Sequence, residues 1–131
     1  AYCRDVDSFS FDLNVDDGMP PRCEPVPRQA CGVVYESGSC NSGWKLIISE
    51  GEISFPYFSD YYKYRNDIET IGVKAGCTLT AFSNTGFSNQ RGTLRADDMS
   101  DRWWVLRDYA EFLHLDNDIE SIQCVCRQSQ L

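Results

Sequence analysis

One short phrase occurs twice in the chain. Asn66-Asp67-Ile68-Glu69-Thr70-Ile71 returns as Asn117-Asp118-Ile119-Glu120-Ser121-Ile122, identical except for Ser121 in place of Thr70. Self-similarity of this kind marks one supersecondary unit used twice. Neither copy can bury its apolar face alone, so the two must pack on each other. Around the repeat lie short segments rich in β-branched and aromatic residues, at 45–49, 68–73, 77–82 and 119–126. Gly76, Gly86 and Gly92 punctuate them as turn positions. The units are expected to open with strands after Gly43 and Gly76, which gives two copies of a four-stranded β unit. The stretch 99–115, with Trp103, Trp104, Leu106, Tyr109, Phe112 and Leu113, predicts a short irregular or helical excursion of at most two turns.

Residues 1–28 differ in composition from the rest of the chain. Asp5, Asp7, Asp12, Asp16, Asp17 and Glu24 precede or surround a cluster of Pro20, Pro21, Pro25 and Pro27. Proline fixes φ and removes a donor, so 20–27 reads as an extended connector. Alternation over 8–13 allows a short edge strand. The expected organisation is an acidic N-terminal extension at 1–28, tied down by Cys3 and Cys23, ahead of one domain at 29–131.

Seven cysteines, at 3, 23, 31, 40, 77, 124 and 126, read as a disulfide framework in an oxidising compartment. Zinc is disfavoured, because no paired C-x-x-C knuckle exists and His114 is the one histidine. A chain opening on Ala1 fits a secreted protein whose leader has been removed. Twelve basic against twenty acidic residues, a net charge of −8, argue against nucleic acid as a partner. No apolar run reaches the roughly 18–20 residues needed to span a bilayer.

Further residues carry a resemblance. A strand ending at Phe82, the hairpin Ser83-Asn84-Thr85-Gly86-Phe87-Ser88-Asn89 and a closing Asp/Asn-rich strand resemble the βγ-crystallin Greek-key motif. That family places an aromatic residue and, after six more, a glycine in a folded hairpin; here Asn89 stands in the glycine position. Asn tolerates positive φ, so the exchange is workable. The first motif, from Trp44 to Val73, reads as shortened, with Ser49-Glu50-Gly51-Glu52 replacing the long hairpin. Within that fold, Cys31-x8-Cys40, Phe55-Pro56-Tyr57-Phe58 and Cys124-Val125-Cys126 resemble the syncollins of secretory granules. The resemblance implies an all-β, two-motif Greek-key sandwich and a granule or membrane-surface setting.

Cys40 is read as the disulfide partner of Cys31. Cys124 and Cys126, two apart in a strand, face one side and require different partners; the crystallin resemblance, which sets the strand of Cys77 beside the last one, implies that one of them is Cys77. The odd cysteine, Cys3 or Cys23, is then available for a bridge between two copies of the chain.

The crystallin resemblance also implies candidate calcium ligands. Hard cations take clustered carboxylate, amide and carbonyl oxygens. Asp116, Asn117, Asp118, Glu120 and Ser121 offer such a set at the second ending, and Asn66, Asp67 and Glu69 a poorer one at the first, where Arg65 adds a positive charge. The competing reading is a pair of Asx turns without metal. The run 12–18 echoes an EF-hand loop but lacks its closing Glu, and reads as a solvated acidic loop. Tyr57, Tyr61, Tyr62, Trp103 and Trp104 are candidate binding aromatics, since such rings pair an apolar face with a polar tip. Adjacent tryptophans in a strand point opposite ways, which predicts one ring outside the core.

Catalysis finds little support: Cys40 in Gly38-Ser39-Cys40-Asn41-Ser42 is taken up by a disulfide, and the lone His114 reads as a surface or hydrogen-bonded residue, not a base. The function expected is a secreted, non-enzymatic binding module, with calcium as cofactor and a protein, glycan or membrane surface as partner. A self-assembling extracellular protein, as a disulfide-linked homodimer, and a small protease inhibitor are the alternatives.

Overall fold

Each copy of the repeated phrase leads into a strand, and its two isoleucines are driven inward. Ile68, Ile71, Ile119 and Ile122 are all fully buried. The computed structural model describes residues 16–56 and 58–127, and these residues form nine strands. These are β1 (Asp16–Asp17), β2 (Gly32–Tyr35), β3 (Lys45–Ile48), β4 (Gly51–Ser54), β5 (Thr70–Val73), β6 (Cys77–Phe82), β7 (Gln90–Arg95), β8 (Asp101–Val105) and β9 (Ser121–Cys126). The expected strands at 45–49, 68–73, 77–82 and 119–126 are all present, 77–82 with the expected bounds and the other three slightly shorter. The edge strand expected at 8–13, Cys3 and Tyr57 lie outside the described residues.

Two sheets stack on each other, in the orders β4-β9-β6-β7 and β1-β8-β5-β2-β3. Their composition shows how the units interlock. Strands β2 to β5 make the first unit and β6 to β9 the second, yet the third strand of each crosses over. β4 pairs antiparallel with β9, Ile53 opposite Ile122. β8 pairs antiparallel with β5, Trp104 opposite Ile71. Neither sheet can therefore be completed by one unit, which is the physical reason for two copies. The architecture is all-β and Greek-key, as expected.

The first unit departs from the expected bounds. It opens at Gly32, not after Gly43, because Gly32-Val33-Val34-Tyr35 is a fourth strand between β3 and β5. All four residues are buried, and a strand covered on both faces reads as a continuous apolar run without alternation. The expected excursion at 99–115 is also divided differently. Its first part is strand β8, and only then do two 3-10 turns follow, Leu106–Asp108 and Ala110–Leu115. Leu106 and Leu115 anchor these turns in the core.

Between the sheets, Ile48, Phe55, Ile68, Ile71, Leu79, Leu94, Trp104, Leu106, Leu115, Ile119 and Ile122 belong to one cluster. A second cluster lies on the far side of the five-stranded sheet: Cys23, Val26, Ala30, Val33, Tyr35 and Trp103. The proline-rich stretch thus lies over a sheet face as a strap. Lys74 Nζ donates to the Val26 carbonyl at 3.2 Å, and β1 adds a short parallel pairing to β8. Gly72 makes room for this layer, since a Cβ there would stand 2.7 Å from the Trp103 ring. Trp103 and Trp104 do point to opposite faces, but both are buried, at 0% and 3% exposure. The expectation of an exposed indole is corrected: the strap covers the face where it would have emerged.

Deleting residues 1–28, with Cys40→Ser to silence the orphaned thiol, should leave one cooperative unfolding transition, because the inter-sheet cluster lies entirely beyond that segment. Trp103 should gain water and red-shift the tryptophan emission. An unshifted spectrum would show that the strap does not cover it.

Six cysteines pair as Cys23–Cys40, Cys31–Cys124 and Cys77–Cys126. The expected Cys31–Cys40 bond is not formed. Cys31 precedes β2 and faces inward onto β9, while Cys40 sits in the β2–β3 hairpin on the strap side. Cys124 and Cys126 take different partners, and one of them is Cys77, which stands directly opposite Cys126 in the ladder.

Candidate functional site

The two repeated endings meet at the junction of the units. Asn66 and Asn117 both adopt left-handed backbone, at φ 54° and 59°, a conformation Asn tolerates better than most residues. Each then reaches across: the Asn66 N–H donates to the Ile119 carbonyl at 2.9 Å, and the Asn117 N–H to the Ile68 carbonyl at 3.3 Å. Beyond them the buried hydroxyls of Thr70 and Ser121 donate to carbonyls in the first hairpin of their own units, Ser37 and Asn84. The repeated phrase is therefore a hinge-point of hydrogen bonding as well as a cluster of oxygens.

The surroundings of the two endings differ in charge. At the second, Glu120 is paired with Arg65 at 2.9 Å, both largely buried, and accepts from Asn66 Nδ2 at 3.2 Å. Arg65 belongs to the first ending in sequence but spends its charge on the second. Of the remaining oxygens there, Asp116 Oδ1 and Asn66 Oδ1 are buried without a hydrogen-bond partner. Such acceptors ask for a donor or a cation.

At the first ending a third carboxylate joins Asp67 and Glu69. Glu36, at the start of the β2–β3 hairpin, is close enough to act on Asp67. Partial burial, the neighbouring Glu36 carboxylate and, more weakly, the Glu69 charge hold the Asp67 carboxyl above its ordinary range, against a lowering contribution from Trp44. Glu36 Oε1 also accepts from the Trp44 N–H at 3.2 Å. Arg107 approaches Glu69 at 3.3 Å in an exposed pair, which is worth little. An open hollow of about 390 Å³ runs between Glu36, Glu69, Arg107 and the serines of the loop. Gly43, at φ 78°, closes the hairpin, and a Cβ there would collide with the Glu36 carboxylate. The sequence reading omitted Glu36. The signal was Tyr35 followed by Gly43, an aromatic and a glycine spaced much as Phe82 and Asn89 are in the second unit.

That second hairpin is built as expected. Asn89 has φ 60°, its Nδ2 donates to Ser83 Oγ at 2.6 Å, and Phe82 meets Phe87 edge-to-face at 5.9 Å.

The aromatic candidates separate into two groups. Trp103 and Trp104 belong to packing. Tyr61 and Tyr62 are about half exposed, and Phe58 is fully so. Tyr61 stacks at 6.1 Å on Tyr64, which itself is buried against Trp44. Next to Tyr61 an open groove of about 450 Å³ is lined by Leu46, Ile47 and Ile53, with Glu50 and Glu52 at its rim. In the serine-rich loop, Cys40 is bonded to Cys23, and Ser37 and Ser39 hydrogen-bond to Asn41.

No family model and no curated protein matches the sequence. Solved structures do match the fold. A structure from work on the evolution of the eye-lens βγ-crystallin domain fold aligns at TM-score 0.59 and 12% identity, covering 81% of this chain and 95% of that one. A βγ-crystallin domain from Flavobacterium johnsoniae aligns at TM-score 0.54 and 10% identity, covering 76% and 99%. The N-terminal domain of protein S aligns at TM-score 0.52 and 15% identity, covering 75% and 98%. Together with the exchanged third strands and the two folded hairpins, these likenesses show that the chain has the βγ-crystallin fold.

Proposed function

We propose that the protein is a secreted, non-enzymatic binding module stabilised by calcium at its first Asp/Asn ending. The arrangement that carries this reading is the open hollow lined by Glu36, Glu69 and the serines of the 36–43 hairpin, with Asp67 beside it and its carboxyl pushed up by these neighbours. Carboxylates that repel one another are relieved by a divalent cation, and oxygen ligands of this kind suit calcium. Glu36, Asp67 and Glu69 would attract the ion by charge, although their carboxylate oxygens do not converge as three ligands in this structure. At the second ending Asp116, Asn117, Asp118 and Ser121 remain candidates, with Glu120 already neutralised by Arg65. Three disulfides support an oxidising, extracellular setting. No helix among the described residues is long and apolar enough to cross a membrane. The syncollin-like cysteine and aromatic layout supports a secretory-granule route. Phe58, Tyr61 and Tyr62 are the contact surface for the partner, which we assign to a protein, glycan or membrane surface.

The sign of the Asp67 effect supplies the test. Its folded-state pKa lies above the unfolded value near 3.8. The protonated form is therefore favoured by folding below that value, and the benefit is lost as pH rises through the raised pKa. At pH 7 in chelator the ionised group destabilises the fold, so Asp67→Asn should raise Tm there and change little at pH 3. In about 2 mM calcium, a Kd of about 0.1 mM would stabilise the unmodified protein by about 1.8 kcal/mol. That is an upward shift of about 6 °C. Asp67→Asn and Glu36→Gln should lose most of it. Equal melting temperatures of the unmodified protein in calcium and chelator would overturn the calcium reading.

A second reading is favoured by the cysteine pairing. With the other six cysteines bonded to one another, Cys3 is the thiol left for a bridge between two copies. A dimer band on a non-reducing gel that disappears in Cys3→Ser supports assembly; a monomer band throughout opposes it.

A further inference from the structure

Two disulfides lie against each other at the end of β9. Cys31–Cys124 joins the two sheets, and Cys77–Cys126 joins β6 to β9 across the ladder. Their sulfurs are not insulated: Cys126 Sγ stands 3.5 Å from Cys31 Sγ, at van der Waals contact. The sulfurs of Cys31, Cys77 and Cys126 all fall within 4.8 Å of one another. Access is unequal. Cys31, Cys77 and Cys124 are buried at 1%, 2% and 0% exposure, whereas Cys126, the last residue of β9, is partly open to solvent.

Exchange proceeds by attack of a thiolate on a disulfide sulfur through a mixed disulfide. We propose that Cys126 is the reactive centre of a thiol–disulfide exchange site that takes small thiols as its substrate class and re-routes the staple between the sheets. An external monothiolate attacks Cys126 Sγ, the exposed sulfur, and the Cys77 thiolate leaves. A second molecule of the monothiol releases the Cys126 thiolate and departs as the symmetrical disulfide. The Cys126 thiolate then attacks Cys31 Sγ, the nearest sulfur of the other bond, and the Cys124 thiolate leaves. The balance is two external thiols oxidised to one disulfide, and two protein disulfides converted to one. The product holds a Cys31–Cys126 bond, with Cys77 and Cys124 as thiols. The new staple still joins the same two sheets, displaced by two residues along β9. Because Cys124 and Cys126 share one face of that strand, the exchange needs no flip of the backbone.

The full-length protein in a glutathione redox buffer, quenched in acid and differentially alkylated, reads the outcome residue by residue in fragment-ion spectra. Among the six paired cysteines, the species that has lost one disulfide should carry the first label on Cys77 and Cys124. Label on Cys77 and Cys126 would mean simple reduction, and label on Cys31 and Cys124 independent opening of the inner bond; either overturns the proposal. Cys77→Ser provides a second measurement without any reductant. Cys3 aside, its one freed thiol should be shared between Cys126 and Cys124, with at least a tenth of that label on Cys124. Label confined to Cys126 in a folded variant would show that the 3.5 Å contact is inert.

Discussion

Replacing Cys31 and Cys124 together by alanine should cost the protein about 4 kcal/mol and lower Tm by about 15 °C. The sequence separation of this bond is 93 residues. By itself, closing a loop of that length is worth about 4.7 kcal/mol in the chain-entropy model. Cys77–Cys126 remains in the variant, however, and shortens the route between the two positions to about 50 residues, which reduces the figure to about 4 kcal/mol. Cys23→Ala with Cys40→Ala opens a loop of separation 17 and should cost about 3 kcal/mol. Denaturant unfolding of the two double variants separates them, the inter-sheet pair being the weaker by about 1 kcal/mol. A loss below about 1 kcal/mol for Cys31/Cys124 would show that the interlocked strands hold the sheets without the staple.

Trp103→Ala should cost about 3–5 kcal/mol, the range for emptying a fully buried aromatic site. Trp103 has no exposed area and touches both layers of the outer cluster: Tyr35 at 5.9 Å between ring centroids, and the strap through Cys23, Val26 and Ala30. Gly72 beneath it cannot fill the space left by the ring. Trp103→Phe should recover a substantial part of the loss, since the apolar contact returns. A cost near zero for Trp103→Ala would mean that the strap is only loosely laid on the sheet and that the chain's stability resides between the sheets alone.

These two variants probe what was hardest to read from the chain. Strands β6 and β9 were legible because alternation of buried and less buried side chains, turn glycines and β-branched residues are local signals. β2 was not, because a strand covered on both sides has no alternation to see. Its cover includes the strap, which in sequence looks like a solvated acidic and proline-rich tail. The same blindness affected the tryptophans: adjacency correctly placed them on opposite faces, but whether the second face is open depends on residues more than seventy positions away. At the candidate site, Asp67 and Glu69 were legible from the repeat. Glu36 was not, since only the return of the β2–β3 hairpin brings it beside Asp67. The sequence also credited the positive charge of Arg65 to the wrong ending, because side chains reach across the junction and not along the chain.

What the sequence determined by itself is the repeat, and with it two units of β structure that must bury one another, and the separate partners of Cys124 and Cys126; the left-handed Asn89 followed from the crystallin resemblance. The repeat, the units and the separate cysteine partners follow from spacing or side-chain direction within a few residues. The tertiary structure alone decided which strand crosses to which sheet, which cysteines meet, which face of β8 is covered and which carboxylate is neutralised. The reason is the exchange of the third strands: it places residues of one unit inside the sheet and the site of the other, so that every long-range contact depends on both copies being folded together.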